Sequence, residues 1–216
     1  DLLCEEAVKT LRQETPRCVV IPRGGEGVRE GLVARGEAAA RVFLDPVFPP
    51  PTLFVFGAGH VGRCTAQAAA LAGMRVVVVD DRADFANRER FPWADAVIVA
   101  PFEQVFEQLA LDESSYVVSV TRGHEYDETV VEHTLRTSAR YIGMIGSRRK
   151  VRFVFDRLRQ KGISDHALAR VHAPIGLAIG ADTPEEIAIS IVAEVIAVRR
   201  GVSACHSPRT PAVGAS

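Results

Sequence analysis

Phosphate recognition is the chemistry most plainly encoded, in Gly57-Ala58-Gly59-His60-Val61-Gly62. The run follows an apolar β-branched segment and opens a helical pattern. In that setting Gly57 allows a tight turn, Gly59 lets a pyrophosphate approach the backbone, and Gly62 lets the helix pack closely on the sheet, with the phosphate at the helix N-terminus. His60 is the first helical residue beside that position. Asp80 closes the next apolar run, where a carboxylate accepts hydrogen bonds from a ribose diol. An acid there disfavours a 2′-phosphate, while Arg82 nearby leaves NADP open. A loop that has lost its nucleotide, or that holds another phosphate-bearing ligand, fits the same residues.

Gly146-Ser147-Arg148-Arg149-Lys150 is the second constellation. Ser147 is a natural N-cap, and three cations then fall in the first helical turn, where each opposes the helix dipole by about 0.3–1 kcal/mol. Such a cluster predicts a compensating anion, with Ser147, Arg148 and Arg149 as the contacts; a solvated basic face is the alternative. In Thr121-Arg122-Gly123-His124, His124 has a side chain suited to proton exchange near neutral pH. No paired nucleophile accompanies it, and Glu125, Asp127 and Glu128 suit a helix N-terminus without any function. Gly176 and Gly180 offer positive φ or close approach to a ligand. His172 reads as a satisfied core histidine. Cys64 lies where a helix dipole lowers a thiol pKa, although packing beside Ala68 explains it equally.

These groups need a scaffold that brings them to one edge. From Thr52 onward, short β-branched runs alternate with helical patterns, which predicts a doubly wound parallel sheet, Rossmann-like, of order 3-2-1-4-5-6. The predicted strands are 53–56, 75–79, 96–100, 116–120, 141–145 and 171–175, and the helices 60–72, 102–110, 125–138, 148–161 and 183–200. Thr183, Pro184 and Glu186 spell a capping box with proline at the first helical position. Ile187, Ile191, Val195 and Val198 form an apolar stripe on the last helix. Residues 1–45 read as a small α+β fragment: a helix over 2–13, a strand at 18–21, a turn at Gly24–Gly27 and a strand at 38–44. Residues 46–51, with four prolines, form a stiff linker; 52–201 form the Rossmann-like domain, and 202–216 have the composition of a disordered tail.

The 216 residues carry 26 basic and 27 acidic side chains, a net charge of −1. That balance gives no basic excess for nucleic acid. Only Lys9, Lys150 and Lys161 are lysines, so arginine, the better bidentate partner for anions, carries nearly all the positive charge. The four cysteines show no CxxC pair, no His at metal-ligand spacing except the adjacent Cys205-His206, and no disulfide framework. No apolar run reaches the length of a membrane span, and the start lacks a signal layout, so the expected compartment is the cytoplasm. The opening helical pattern without a Met predicts a first domain that is incomplete.

Phe56–Gly62, Val79–Arg82 with Phe91-Pro92, Thr121–His124, Ile145–Lys150 and Pro174–Leu177 through Thr183–Ala188 together resemble the XdhC/CoxI family. These are maturation factors for molybdenum hydroxylases such as xanthine dehydrogenase and carbon monoxide dehydrogenase. The resemblance implies a chaperone that binds molybdenum cofactor (molybdopterin), protects it while a cysteine desulfurase supplies the terminal sulfur, and inserts it into the apo-enzyme. It also implies an N-terminal XdhC/CoxI domain, of which Cys4-Glu5-Glu6 looks like the remnant of a Gly-Cys-x-Glu segment. The site residues it leaves to physical reasoning are Gly57, Gly59, His60, Gly62, Asp80, His124, Ser147, Arg148, Arg149, Gly176 and Gly180. On this reading the protein is a non-catalytic factor with no resident metal. The alternatives are an NAD(P)-dependent oxidoreductase, for which no hydride-transfer acid or base is visible, and an NAD-sensing regulatory domain. A homodimer is a further expectation, since Rossmann domains with exposed apolar helices commonly pair.

Overall fold

The computed structural model of the chain describes residues 2–13, 16–22, 29–30, 39–47 and 50–202. Two compact units divide at Pro49/Pro50, inside the proline-rich segment. In the first, helix α1 (Leu2–Gln13) precedes strands β1 (Arg17–Pro22), β2 (Arg29–Glu30) and β3 (Ala39–Leu44), which form an antiparallel sheet of order β2-β1-β3. β2 is an addition to the expected elements. The predicted turn at Gly24–Gly27 and the tail beyond Val202 lie outside the described residues.

The second unit comprises β4 (Thr52–Phe56), α2 (His60–Leu71), β5 (Arg75–Asp80), β6 (Ala96–Val99), α3 (Phe102–Val105) and β7 (Ser115–Ser119). It continues through α4 (His124–Leu135), β8 (Tyr141–Met144), α5 (Arg148–Gln160), α6 (Asp165–Leu168), β9 (Val171–His172) and α7 (Pro184–Arg199). All pairings are parallel, in the order β6-β5-β4-β7-β8-β9. Counted within this unit, that is the expected 3-2-1-4-5-6. The order reverses between β4 and β7, so the chain leaves these two neighbouring strands in opposite directions and opens a crevice at their carboxyl ends.

Burial on both faces explains the nearly continuous apolar runs of β4, β5 and β7. The period of two sorts β4 cleanly: Leu53 and Val55 join α2 and α7 residues such as Ala66, Ala69, Ile191 and Val195. Phe54 and Phe56 face the other way, with Phe102, Val105 and Val130. A third cluster places Ile142 and Met144 of β8 beneath Val131, Val154, Leu158 and Leu168. α7 starts at its capping box: Glu186 N–H donates to Thr183 Oγ1 (3.3 Å), and Thr183 N–H returns to Glu186 Oε2 (3.2 Å).

Most elements end within one to three residues of their patterns, and the largest proportional shortfalls are in two of them. The helix expected over 102–110 is the single turn α3, because Phe102 and Phe106 dock on the Phe56 ring and Gln108 N–H then closes a tight turn on Val105 C=O. The strand expected over 171–175 ends at His172, since Pro174 has no N–H for the ladder. Ile175 N–H rejoins β8 at Met144 C=O (3.0 Å).

Candidate functional site

The three motif glycines meet different demands. Gly57 has φ +110°, its N–H donates to Val79 C=O (2.8 Å), and a Cβ there would lie 2.6 Å from Val120 O. A Cβ on Gly62 would lie 1.8 Å from Gly57 O. Both glycines are therefore imposed by the protein's own packing. Gly59, the N-cap of α2, has the ordinary extended geometry φ −68°, ψ −168°, and a Cβ there would meet nothing within 4 Å. The space in front of it is open, on the side from which a phosphate would reach the backbone. α2 has no side-chain cap and no acid in its first turn. α5, α6 and α7 are all capped by Ser or Thr, and α4, capped by Gly123, carries Glu125 and Asp127 in its first turn. The first-turn amides of α2 thus keep their positive end for an anion. His60 is exposed beside them.

Asp80 is buried, and its own chain occupies it. Oδ2 accepts from Ala58 N–H (2.7 Å) and Arg82 Nη2 (3.0 Å), and Oδ1 from Arg82 Nε (2.8 Å) and Arg82 N–H (3.1 Å). Burial works against its charge, but the bonds from Arg82 and Ala58 outweigh it and hold the carboxyl below the usual range. The carboxylate that was to receive a ribose diol instead braces the glycine loop from beneath. Arg82 is held in turn by the Phe85 ring, 3.7 Å from its guanidinium carbon. The half-buried acid next along, Asp81, accepts from Tyr126 Oη (3.0 Å) and Arg122 Nη2 (3.3 Å), tying the end of β5 to the start of α4.

Beyond β7 the sequence conceals a buried polar centre. Asp127 Oδ1 accepts from Ser119 Oγ (2.7 Å) and Thr121 Oγ1 (2.8 Å), and Oδ2 pairs with the Lys150 ammonium. Burial pushes the Asp127 carboxyl up, against the pull of Lys150 and the two hydroxyls. Lys150 therefore belongs to the interior, and the expected trio of surface cations reduces to Arg148 and Arg149. Both are exposed, with no ion-pair partner among the described residues, behind the Ser147 cap, whose Oγ accepts from Lys150 N–H (3.3 Å). They stand at the end of β8, two strands from the glycine loop, or about 10 Å at ordinary strand spacing. His124 turns toward α5: its ring lies 5.4 Å from Phe153, and the two line an open groove of about 350 Å³ with Tyr126, Glu128 and Arg157.

The far edge of the sheet is structural. Gly176 has φ +96°, and its N–H donates to Glu194 Oε2 (2.5 Å). A Cβ there would lie 2.5 Å from Ser190 Oγ, so α7 packing requires this glycine rather than a ligand. His172 Nδ1 meets the buried Glu194 Oε1 (2.7 Å), and Tyr141 Oη donates to Oε2 (2.9 Å), which makes His172 the satisfied core histidine expected. Gly180 has φ +75° and open space around it. Cys64 contacts Glu185 Oε1 at 3.7 Å; burial and that carboxylate push its thiol pKa up, opposite to the effect of a helix dipole. No group of three or more His, Cys, Asp or Glu among the described residues could hold a metal ion, and no helix of the described residues is long and apolar enough to cross a membrane.

The carboxyl edge of the sheet thus carries a bare helix N-terminus over a braced glycine loop and two exposed arginines nearby with no ion-pair partner among the described residues. Sequence reasoning missed the Asp127–Lys150 and Tyr141–His172–Glu194 centres, because nothing in local spacing says which polar side chains turn inward.

Residues 53–195 match the family model of the XdhC Rossmann domain. The chain is 35% identical over 199 residues to the uncharacterized protein YqeB of Escherichia coli (strain K12), covering 90% of this chain and 36% of that protein. It is 31% identical over 167 residues to a protein of Bacillus subtilis (strain 168) described as a probable xanthine dehydrogenase subunit, covering 77% and 48%. The chain therefore spans half or less of the length of these curated relatives. A solved structure described as a xanthine dehydrogenase from Bacillus halodurans aligns with a TM-score of 0.65 at 23% identity, over 94% of this chain and 66% of that one, a likeness of fold.

Proposed function

From a chain that belongs to the XdhC family by its Rossmann domain, we propose a maturation role for a molybdenum hydroxylase of the xanthine dehydrogenase type. In this reading the protein binds molybdenum cofactor as cargo and hands it to the apo-enzyme, with a cysteine desulfurase as a second partner during sulfuration. One observation carries it: α2 begins with neither a capping side chain nor an acid, and the space before Gly59 is open. The cofactor bears a phosphate, and first-turn amides with a positive dipole end suit that group. Arg148 and Arg149 add positive charge on the same edge for an anionic cargo.

A dinucleotide is the second reading, favoured by the spacing Gly57, Gly59, Gly62. The engagement of Asp80 by Arg82 weighs against it, because a ribose diol would have to displace a bidentate guanidinium.

Calorimetric titration decides between them. The chain is titrated anaerobically with cofactor released from a molybdoenzyme and, in parallel, with NAD and NADP. Cofactor heat that disappears in Gly59→Leu, without dinucleotide heat, supports the proposal. Dinucleotide heat without cofactor heat overturns it in favour of a nucleotide-responsive domain.

A further inference from the structure

α7 is apolar around most of its circumference. Ala188, Ile191, Val192 and Val195 are buried, yet Ile189 and Ile196 remain 59% and 39% exposed. A helix that is hydrophobic all round is normally enclosed. Glu185, Ile189, Ala193, Ile196 and Arg200 follow at intervals of three or four residues, which places them on one face. Read along the helix, this outward face is acid, apolar, small, apolar, base. It complements itself on reversal, because Glu185 and Arg200 are centred on the same point as Ile189 and Ile196, between Val192 and Ala193.

We propose that this face is a homodimer interface in which two copies of α7 pack antiparallel about a two-fold axis beside Val192 and Ala193. Ile189 then meets the partner subunit's Ile196, and the reciprocal contact forms across the axis, as an isologous interface requires. Glu185 meets the partner's Arg200 at each end, about 22 Å apart along the helix. Ala193, small and next to the axis, lets the two backbones approach. The charges select this occupant: Arg200 has no ion-pair partner among the described residues, and Glu185 has only the 3.7 Å thiol contact with Cys64. A parallel pairing would set like charges together, whereas the antiparallel one also opposes the two helix dipoles.

Sedimentation velocity of the whole chain over a concentration series tests the interface. A reversible dimer is expected, and Ile189→Glu should give a monomer whose melting midpoint matches that of the wild-type chain diluted to the concentrations at which it too is monomeric. Glu185→Arg and Arg200→Glu should each weaken dimerisation about tenfold, since two rim pairs are lost at once. The double variant E185R/R200E should recover the original affinity, because each reversed pair is restored across the axis. This charge swap decides the matter alone if Ile189→Glu does not fold. A wild-type chain monomeric throughout, or charge reversals whose effects simply add in the double variant, overturns the proposal.

Discussion

A side chain on Gly57 would strike the Val120 carbonyl and one on Gly62 the Gly57 carbonyl, whereas one on Gly59 would project into open space. Substitution should therefore separate them. Gly57→Ala and Gly62→Ala are each expected to lower unfolding free energy by at least about 1–3 kcal/mol, the usual penalty for forcing extra atoms into packed structure. Gly59→Leu should cost no more than about 1 kcal/mol, the scale of replacing a favoured N-cap residue by an apolar one, while abolishing cargo binding. Urea denaturation measures all three, and a Gly59→Leu variant as unstable as the others would show that this glycine is structural too. Asp80 yields a pH prediction. Its folded pKa is held below the unfolded value, so its contribution is present above about pH 4 and lost as pH falls through the folded pKa. The stability gap between wild type and Asp80→Asn should be constant near neutrality and shrink on acidification; a gap that persists at low pH contradicts the assignment. The position of Asp80 was legible, because an acid after a β-branched run is a local signal. Its occupation by Arg82 was not, since a rotamer decides whether two neighbours pair or diverge.

Between elements, Asp127 with Lys150 locks the first turns of α4 and α5 together, and Glu128 with Arg157 and Lys161 ties α4 to the last turn and C-cap of α5. Removing one partner of the buried pair leaves a charge stranded. Asp127→Asn and Lys150→Met should each cost about 3–5 kcal/mol, and the double variant far less than their sum. Chemical denaturation of the four proteins supplies the cycle, and strict additivity would mean that the pair is not coupled. This lock explains why Lys150 leaves the cationic surface cluster: its stem passes over Gly146, where a Cβ would lie 2.7 Å from Lys150 Cδ. Helical and strand periodicity located most of these elements, yet it overran at α3 and β9. In both, contacts from elsewhere ended the segment: aromatic docking on Phe56 in one, the missing N–H of Pro174 in the other.

Across the molecule the net charge is −1, so no global field draws in an anion. Attraction must come from local groups, and Arg148→Ala with Arg149→Ala should both weaken cargo binding and flatten its dependence on ionic strength. Calorimetry at stepped salt reads the slope; an unchanged slope with lowered stability would make the pair structural. Cargo at one hundred times its Kd should stabilise the wild-type chain by about 2.7 kcal/mol and the Gly59→Leu variant not at all, a difference visible in thermal midpoints. The sequence alone determined the strand order, the glycine loop and the capping box of α7, because period, turn chemistry and caps are written over a few adjacent residues. Only the tertiary structure decided that Asp80 serves its own loop, that Lys150 turns inward, that Gly176 answers to α7, and that Gly59 alone of the three motif glycines faces open space. Each of those outcomes depends on atoms brought together by packing, and spacing along the chain carries no information about which partner a side chain will find.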